Sequence, residues 1–285
     1  MTSARPDCGI TIRTMAPSAL GTALDWAAAE GWNPGLNDAA CFHAADPDGF
    51  LMLYDGDAPA GSISVVRYPE AFGFLGLFIV RPDRRGRGFG RRLWEAGLTH
   101  LDGCTIGLDG VVARQASYGR AGFATAHRNI RYAGEPRRSG PPDPRIVPVD
   151  EALLPALFAY DRRFFPAPRE IFLRCWLGGE GHRAKALLEG SAILGYGVVR
   201  ACRVGHKVGP LFARDPGVAA ALLNDLVAGL AGPVALDLPE PNAAGLRLAE
   251  SYGLAPVFET ARMYRGARPD LPLGETFGIT TFELG

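Results

Sequence analysis

Seven residues in the first third of the chain alternate arginine with glycine: Arg84-Arg85-Gly86-Arg87-Gly88-Phe89-Gly90, the Arg-Gly loop. Glycine lets a backbone approach a ligand closely and adopt positive φ. Successive free N–H groups at the start of a helix form an anion site, and arginine adds charge-assisted hydrogen bonds to it. The spacing therefore predicts a loop that holds the diphosphate of a ligand.

Other interpretations of the Arg-Gly loop fit less well. A Walker loop would end in Gly-Lys-Ser/Thr, and a dinucleotide fold would carry its glycines near the start of a βαβ unit. An Arg-Gly tract that binds RNA would be longer, and the formal net charge of zero disfavours nucleic acid. A solvated turn is disfavoured because six arginines lie between Arg81 and Arg92, with Asp83 as the one acid.

The loop needs a strand before it and a helix after it. Residues 72–80 form a continuous apolar run that stops at Pro82, which predicts a strand buried on both faces. Residues 90–101 then predict a helix. The other elements predicted around them are helices at 18–30 (with Ser18 as N-cap), 37–45 and 114–120, and strands at 50–54, 60–68, 104–108 and 125–132.

A stretch rich in Pro, Gly and Arg, residues 135–148, predicts a linker between halves 1–134 and 149–285. The second half repeats the element order of the first. Its predicted helices lie at 150–160, 168–177, 216–230 and 242–252, and its strands at 184–189, 191–202, 206–213, 233–238 and 256–265. We interpret the chain as a duplicated fold.

Residues 80–90 resemble motif A of the GCN5-related N-acetyltransferases (GNATs), an apolar strand followed by Arg/Gln-x-x-Gly-x-Gly/Ala at a helix start. Arg85, Gly88 and Gly90 occupy the signature positions. Tyr118-x-x-x-Gly122-Phe123 resembles the end of that family's motif B, whose frequent upstream Asn is replaced by Val111. The resemblance covers residues 10–133 and extends to the second half as a degenerate copy.

The resemblance implies an α/β (α+β) chain of two tandem GNAT-like domains. Each would hold a mixed, mostly antiparallel, twisted sheet flanked by helices. Residues 1–134 would be the catalytic domain that binds acetyl-CoA. A strand-like tail, residues 276–284, is expected to cross back and add a strand to the first domain, with Glu283 near the active site.

The implied activity is acetyl transfer from acetyl-CoA to the primary amine of a small molecule, by direct attack within a ternary complex. The residues expected to contact CoA are Phe78, Ile79, Val80, Arg85, Gly86, Arg87, Gly88, Phe89, Gly90, Ser117 and Tyr118. An alternative is a CoA-binding sensor or a catalytically silent partner protein, against which the intact Tyr118 argues.

Tyr118 resembles the tyrosine that protonates the departing thiolate, although it also suits the packing of a short helix. Two residues are candidates for the base that accepts the amine proton. Asp109 ends a predicted strand and also fits a turn, while Glu30 ends the first helix and also fits an exposed charge. Trp32 and Asn33, together with Asp109, are expected to line the acceptor pocket.

In the second half, residues 212–218 lack the alternating glycines, and Asp215 would repel phosphate while capping a helix. Ala249 stands where the first half has Tyr118. We therefore expect the second half neither to bind CoA nor to catalyse, but to shape the acceptor pocket.

The five cysteines lie far apart, at positions 8, 41, 104, 175 and 202, which predicts free thiols and no metal site. No signal pattern and no apolar run long enough to span a bilayer is visible. We accordingly expect a cytoplasmic monomer or homodimer whose partner is the amine, with neither nucleic acid nor membrane involved.

Overall fold

The computed structural model of the chain describes residues 9–137 and 141–285. The elements of the first half are β1 Ile10–Thr14, α1 Pro17–Ala29, α2 Asp38–Ala45, β2 Phe50–Asp55, β3 Ala58–Tyr68, β4 Phe72–Val80, α3 Phe89–His100, β5 Thr105–Val111, α4 Gln115–Arg120 and β6 Ala124–Gly134. Those of the second half are β7 Ile146–Pro148, α5 Leu154–Asp161, α6 Glu170–Gly178, β8 His182–Glu189, β9 Ala192–Ala201, β10 His206–Ala213, α7 Pro216–Leu226, β11 Val234–Pro239, α8 Ala243–Ser251, β12 Ala255–Arg265 and β13 Thr276–Gly278.

The two halves share one twisted, mostly antiparallel sheet flanked by helices. Its strand order is β1-β2-β3-β4-β5-β12-β6-β11-β10-β9-β8-β7, with β13 paired to β10. The halves exchange strands, because β12 of the second half pairs with β5, and β6 of the first half pairs with β11. A division of the chain at residues 135–148 therefore does not divide the sheet.

Apolar side chains are buried on both faces of this sheet. On one face α3 packs over β2, β3 and β4, where Leu93 and Ile63 are fully buried. On the other face helices from both halves meet, and Trp176 of α6 stacks near Phe42 of α2. A third cluster lies beneath α7 and α8, so each half keeps its own apolar core beside a shared one.

Local signals at element ends explain most boundaries. Asp215 caps α7 as expected, since its Oδ1 accepts from the Val218 amide at 2.9 Å. The prediction of Ser18 as N-cap is wrong, because α1 begins one residue earlier at Pro17, a preferred first helical residue. Strand β1 was not predicted from the sequence. The strand β7 lies within the predicted linker, and Pro148 is tolerated there because β7 is at the edge of the sheet.

The first half opens a gap between its central parallel strands. β4 pairs with β5 over Phe72–Leu75, after which the strands diverge. Here β4 bulges against β3, with Leu77 at φ 43° and its carbonyl accepting from Ser62 Oγ at 2.8 Å. The second half has the same design, because β10 pairs with β11 over His206–Val208 alone among the residues described.

The tail of the chain fills the second of these gaps. β13 pairs with β10 at Leu211 and Phe212, and the Ile279 amide donates to the carbonyl of Asp237 on β11 at 2.9 Å. The expectation that the tail adds a strand to the first half is thus wrong, because β12 makes that crossing. The tail nevertheless goes on into the first half, where Tyr68 Oη donates to the Leu284 carbonyl at 3.1 Å.

A disulfide joins the halves on the helical face, between Cys41 of α2 and Cys175 of α6. The prediction of free thiols is wrong for these two residues. They lie 134 positions apart in the sequence, and only the packing of α2 on α6 brings them together. Cys104 and Cys202 are free, and Cys8 lies outside the described residues.

Gly76 leaves room for the tail. An ideal Cβ at residue 76 would lie 2.3 Å from the Glu283 carbonyl oxygen, a backbone atom that cannot move aside easily. We expect Gly76→Ala to lower the free energy of unfolding by ~1–3 kcal/mol through overpacking, measured by urea denaturation. Gly21→Ala in α1 is the control, because a Cβ built there meets no neighbouring heavy atom of the described residues within 4 Å. Equal stability of Gly76→Ala and wild type would mean that the tail is not seated as described.

Candidate active site

The gap between β4 and β5 is a cleft of about 460 Å³. It is bounded by the end of β4, the Arg-Gly loop, the end of β5, the turn leading into α4, and the tail. The predicted residues that line it are Glu30, Trp32, Phe78, Ile79, Val80, Arg85, Gly86, Gly88, Phe89, Gly90, Asp109, Ser117 and Tyr118. Arg87 and Asn33, which were also predicted, do not line it.

The Arg-Gly loop delivers the amino end of α3 to this cleft. Gly86 and Gly88 adopt φ of 78° and 79°, a conformation that other residues rarely take. Gly88 is the N-cap of α3 and, having no side chain, leaves the first amides of the helix uncapped. No heavy atom of the described residues lies within 4 Å of a Cβ built on either glycine, so a ligand has room to approach these N–H groups.

Acidic residues hold the arginines of the loop in place. Arg84 and Arg87 each donate from Nη1 to Asp55 Oδ2 at 2.6 Å. Arg85 donates from Nη2 to Glu30 at 2.5 Å and from Nε to the Val80 carbonyl at 2.9 Å. Two of the predicted roles change as a result. Arg87 braces the loop outside the cleft, and Glu30 is the ion-pair partner of Arg85.

Tyr118 lies on α4, across the cleft from the loop. Its ring stacks on Trp94 at 5.7 Å and contacts Phe123 edge-on at 6.3 Å. Gly110 makes room for the ring, since a Cβ there would come within 3.0 Å of it. Burial raises the pKa of Tyr118 to about 12, with Arg114 opposing. The phenol is therefore protonated at neutral pH and can donate a hydrogen bond.

Asp109 is committed to a buried ion pair. Arg262 of β12 donates to both of its oxygens, at 3.0 and 2.8 Å, and Asn129 donates to Oδ1 at 2.7 Å. Burial raises the pKa of Asp109, while Arg262 and Asn129 favour its charged form. Asp109 and Arg262 are directly opposite each other in the β5–β12 ladder. This geometry argues against Asp109 as the base and for a role in joining the halves.

The segment after α1 joins the site to the second half. Trp32 lines the cleft, and its carbonyl accepts from Arg131 Nη1 at 2.8 Å. Asn33 instead holds the loop after β9, donating to the Val204 carbonyl at 3.0 Å and accepting from the Val204 amide at 2.9 Å. Both the nitrogen and the oxygen of the Asn33 side-chain amide are thus used away from the cleft, which argues against the predicted contact with substrate.

The second half and the tail supply two cleft phenylalanines that sequence reasoning did not assign. Phe258 of β12 and Phe282 of the tail line it, with Arg131 over their rings at 5.6 and 4.9 Å. Glu283 also lines the cleft and is 3% exposed. A local signal could not have found the two phenylalanines, because their place depends on strand exchange and on the path of the tail.

Within the described ranges, no group of three or more His, Cys, Asp or Glu side chains could hold a metal ion. Across the same residues, no helix is long and apolar enough to cross a membrane.

Two family models match this chain. Residues 19–123 match an acetyltransferase (GNAT) family, and residues 157–278 match an acetyltransferase (GNAT) domain. The chain is a tandem member of the GNAT family. Holothin acyltransferase of Pseudoalteromonas sp. (strain SANK 73390) is 28% identical to this tandem GNAT over 263 residues, which are 92% of the chain and 90% of that protein. The chain is accordingly a GNAT-family acyltransferase.

Solved structures share the fold of this tandem GNAT. A putative acetyltransferase from Pyrococcus horikoshii aligns over 100% of the chain and 99% of its own, with a TM-score of 0.83 and 22% identity. A tandem GNAT protein from the clavulanic acid biosynthesis pathway aligns over 92% of the chain and 99% of its own, with a TM-score of 0.61 and 15% identity.

The pairing of Asp109 with Arg262 is testable through stability. Asp109→Ala is expected to lower the free energy of unfolding by ~3–5 kcal/mol, because Arg262 would be left buried and unpaired. Urea denaturation measures the loss. Asp83→Ala, which removes an exposed partner of Arg81, should change stability far less. A variant at Asp109 that kept wild-type stability yet lost turnover would restore this residue as a candidate base.

Proposed function

We propose that this tandem GNAT is an acetyl-CoA-dependent N-acetyltransferase that acetylates the primary amine of a small molecule by direct attack in a ternary complex. One observation carries the proposal. The cleft between β4 and β5 joins the uncapped amino end of α3 to the protonated hydroxyl of Tyr118. That arrangement suits a diphosphate at one end and a leaving thiolate at the other.

The edge of β4 beyond Leu75 suits the pantetheine arm. There β4 has separated from β5, and Phe78, Ile79 and Val80 line the cleft. An extended ligand can add to such an edge as a strand would. The diphosphate would then reach the amides of residues 86–90, with Arg85 and Ser117 beside it. A backbone amide at the bulge would polarise the thioester carbonyl.

The second half supports this assignment by contrast. Its corresponding gap, between β10 and β11, is filled by β13 and Ile279. The start of its helix α7 is capped by Asp215, whose charge disfavours phosphate. The tail thus takes the place that the pantetheine arm would take, so we assign one active site to the chain.

The acceptor would enter beside Trp32, Phe258 and Phe282, which give this end of the cleft an aromatic lining. Such rings bind flat or cationic groups of modest size. The relative named holothin acyltransferase supports the acyl transfer and makes holothin one acceptor to test. We propose no further partner, and a monomer or homodimer remains our expectation.

A second candidate, a CoA-binding protein without catalysis, draws on a specific observation. Both bases predicted from the sequence are held in ion pairs, Glu30 with Arg85 and Asp109 with Arg262. A thiol-release assay with acetyl-CoA and a panel of amines, holothin included, separates the candidates. Release that depends on the amine supports the transferase, while tight binding without any release supports the silent protein.

The loop is tested by adding a charge where the diphosphate would lie. Gly88→Asp is expected to weaken acetyl-CoA binding roughly 100-fold, because it brings a like charge to short range and strains a residue at positive φ. Gly217→Asp, in the first turn of α7, adds the same charge at the corresponding helix of the second half and should bind as wild type does. Calorimetric titration gives both affinities, and equal affinity for the two variants would refute the loop assignment.

Tyr118 is tested by removing one oxygen atom. Tyr118→Phe is expected to lower kcat by about 10²–10⁴-fold, since the thiolate loses its proton donor, with acetyl-CoA affinity nearly unchanged. Tyr132→Phe, far along β6, controls for the loss of a phenol elsewhere. Thiol release under saturating acetyl-CoA measures the effect. An unaltered kcat in Tyr118→Phe would leave the tyrosine a packing role only.

A further inference from the structure

Glu283 differs from the other carboxylates at the cleft because no cation of the described residues is hydrogen-bonded to it. Its Oε1 is buried and has no hydrogen-bond partner in residues 9–137 and 141–285. Glu30 and Asp109, by contrast, bond to Arg85 and to Arg262 respectively. A buried polar atom without a partner is costly, so its persistence beside a cleft points to a ligand that completes it.

The tail holds Glu283 firmly in the cleft wall. Thr281 Oγ1 accepts from the amides of Glu283 and Leu284 at 3.2 and 2.9 Å. On the far side, the backbone of residue 283 rests against Gly76 at the bulge of β4. Tyr68 fixes the next residue through the Leu284 carbonyl. The carboxylate is therefore set beside the strand that would carry the thioester.

We propose that Glu283 is the catalytic base, accepting the proton of the acceptor amine. The inference rests on the proposed function. The amine nitrogen bonds to the acyl carbon and the carbon–sulfur bond breaks. One N–H proton passes to the carboxylate of Glu283, and the thiolate receives the hydroxyl proton of Tyr118. Each half of the molecule thus contributes one of the two groups that move protons.

The charges facing Glu283 come from four elements. Lys207 on β10, Arg200 on β9 and Arg131 on β6 favour its charged form, and Asp38 on α2 opposes it. Burial outweighs the three cations and raises the pKa of Glu283. A carboxylate with a raised pKa is a stronger base in its ionised form, which suits proton transfer from an amine.

A purely structural role, balancing the buried cations, is the alternative, and stability separates it from the catalytic one. Since the pKa of Glu283 is higher in the folded protein than in the unfolded chain, ionising it costs folding free energy. Its contribution is favourable at low pH and is lost as pH rises through the folded-state pKa. A base retained for chemistry should therefore be replaceable by the neutral isostere Gln at no cost in stability, but not in activity.

The experiment compares the pH dependence of kcat/KM for amine acetylation in wild type, Glu283→Gln and Glu275→Gln. Glu275 directly precedes the tail and does not line the cleft. In wild type the rate falls at low pH as the base is protonated. Glu283→Gln should lose about 10²–10⁴-fold in kcat and the acidic limb assigned to the base, and recover partly at alkaline pH, where the amine arrives unprotonated. Glu275→Gln should keep the wild-type profile.

Further readouts separate the possible failures. Absence of turnover in wild type overturns the proposed function itself, whereas wild-type turnover with an unchanged profile in Glu283→Gln overturns only the role of Glu283. Loss of the acidic limb in Glu30→Gln would likewise overturn only the role of Glu283. If the Glu283→Gln protein folds poorly, Glu283→Asp takes its place in the experiment. It should keep an acidic limb with a lower kcat and unchanged acetyl-CoA affinity, and a wild-type kcat in it contradicts the proposal.

Discussion

The fold and the cleft of this protein depend on two gaps between parallel strands of its sheet. Where β4 leaves β5, and where β10 leaves β11, strand edges lose their neighbours inside the protein, and buried backbone groups need partners. The second gap is closed by the chain's own tail, through β13 and the Ile279 amide. The first remains a cleft and receives only the last residues of that tail along one wall. The same local design therefore yields a sealed copy and an open one.

The halves are held in register by buried ion pairs. Asp109–Arg262, Asp237–Arg131 and Asp38–Arg200 each join a residue of one half to a residue of the other. Desolvation makes such pairs poor sources of net stability. Two of them are directly opposed across exchanged strands, so a slip by one residue would move one charge to the other face of the sheet. These pairs therefore specify how the strands are exchanged more than how tightly they bind.

Local sequence patterns predicted local structure. The strand Phe72–Val80 is an example, because an apolar run and a following proline define a buried strand and its end. They could not say which strand pairs with which. The sequence Asp109-Gly110 also fits a turn. In the structure Asp109 lies within β5, opposite Arg262, which is 153 positions away in the sequence. The Cys41–Cys175 bond and the seat of Glu283 depend on the same long-range packing. Alternation along a strand reveals its faces and is silent about its partners.

The first half's own cleft carboxylates, Glu30 and Asp109, are already engaged in ion pairs. This explains why a proton acceptor would come from the tail. Glu30 holds Arg85, and through it the loop at the start of α3; Asp109 holds β12 against β5. Either carboxylate, on taking a proton, would weaken the contact that shapes the cleft at the moment of reaction. Glu283 has no hydrogen bond to a cation in the part of the chain that the structure describes, so its protonation would leave both the loop and the strand exchange intact. A carboxylate delivered by the tail thus separates proton transfer from the ion pairs on which the fold depends.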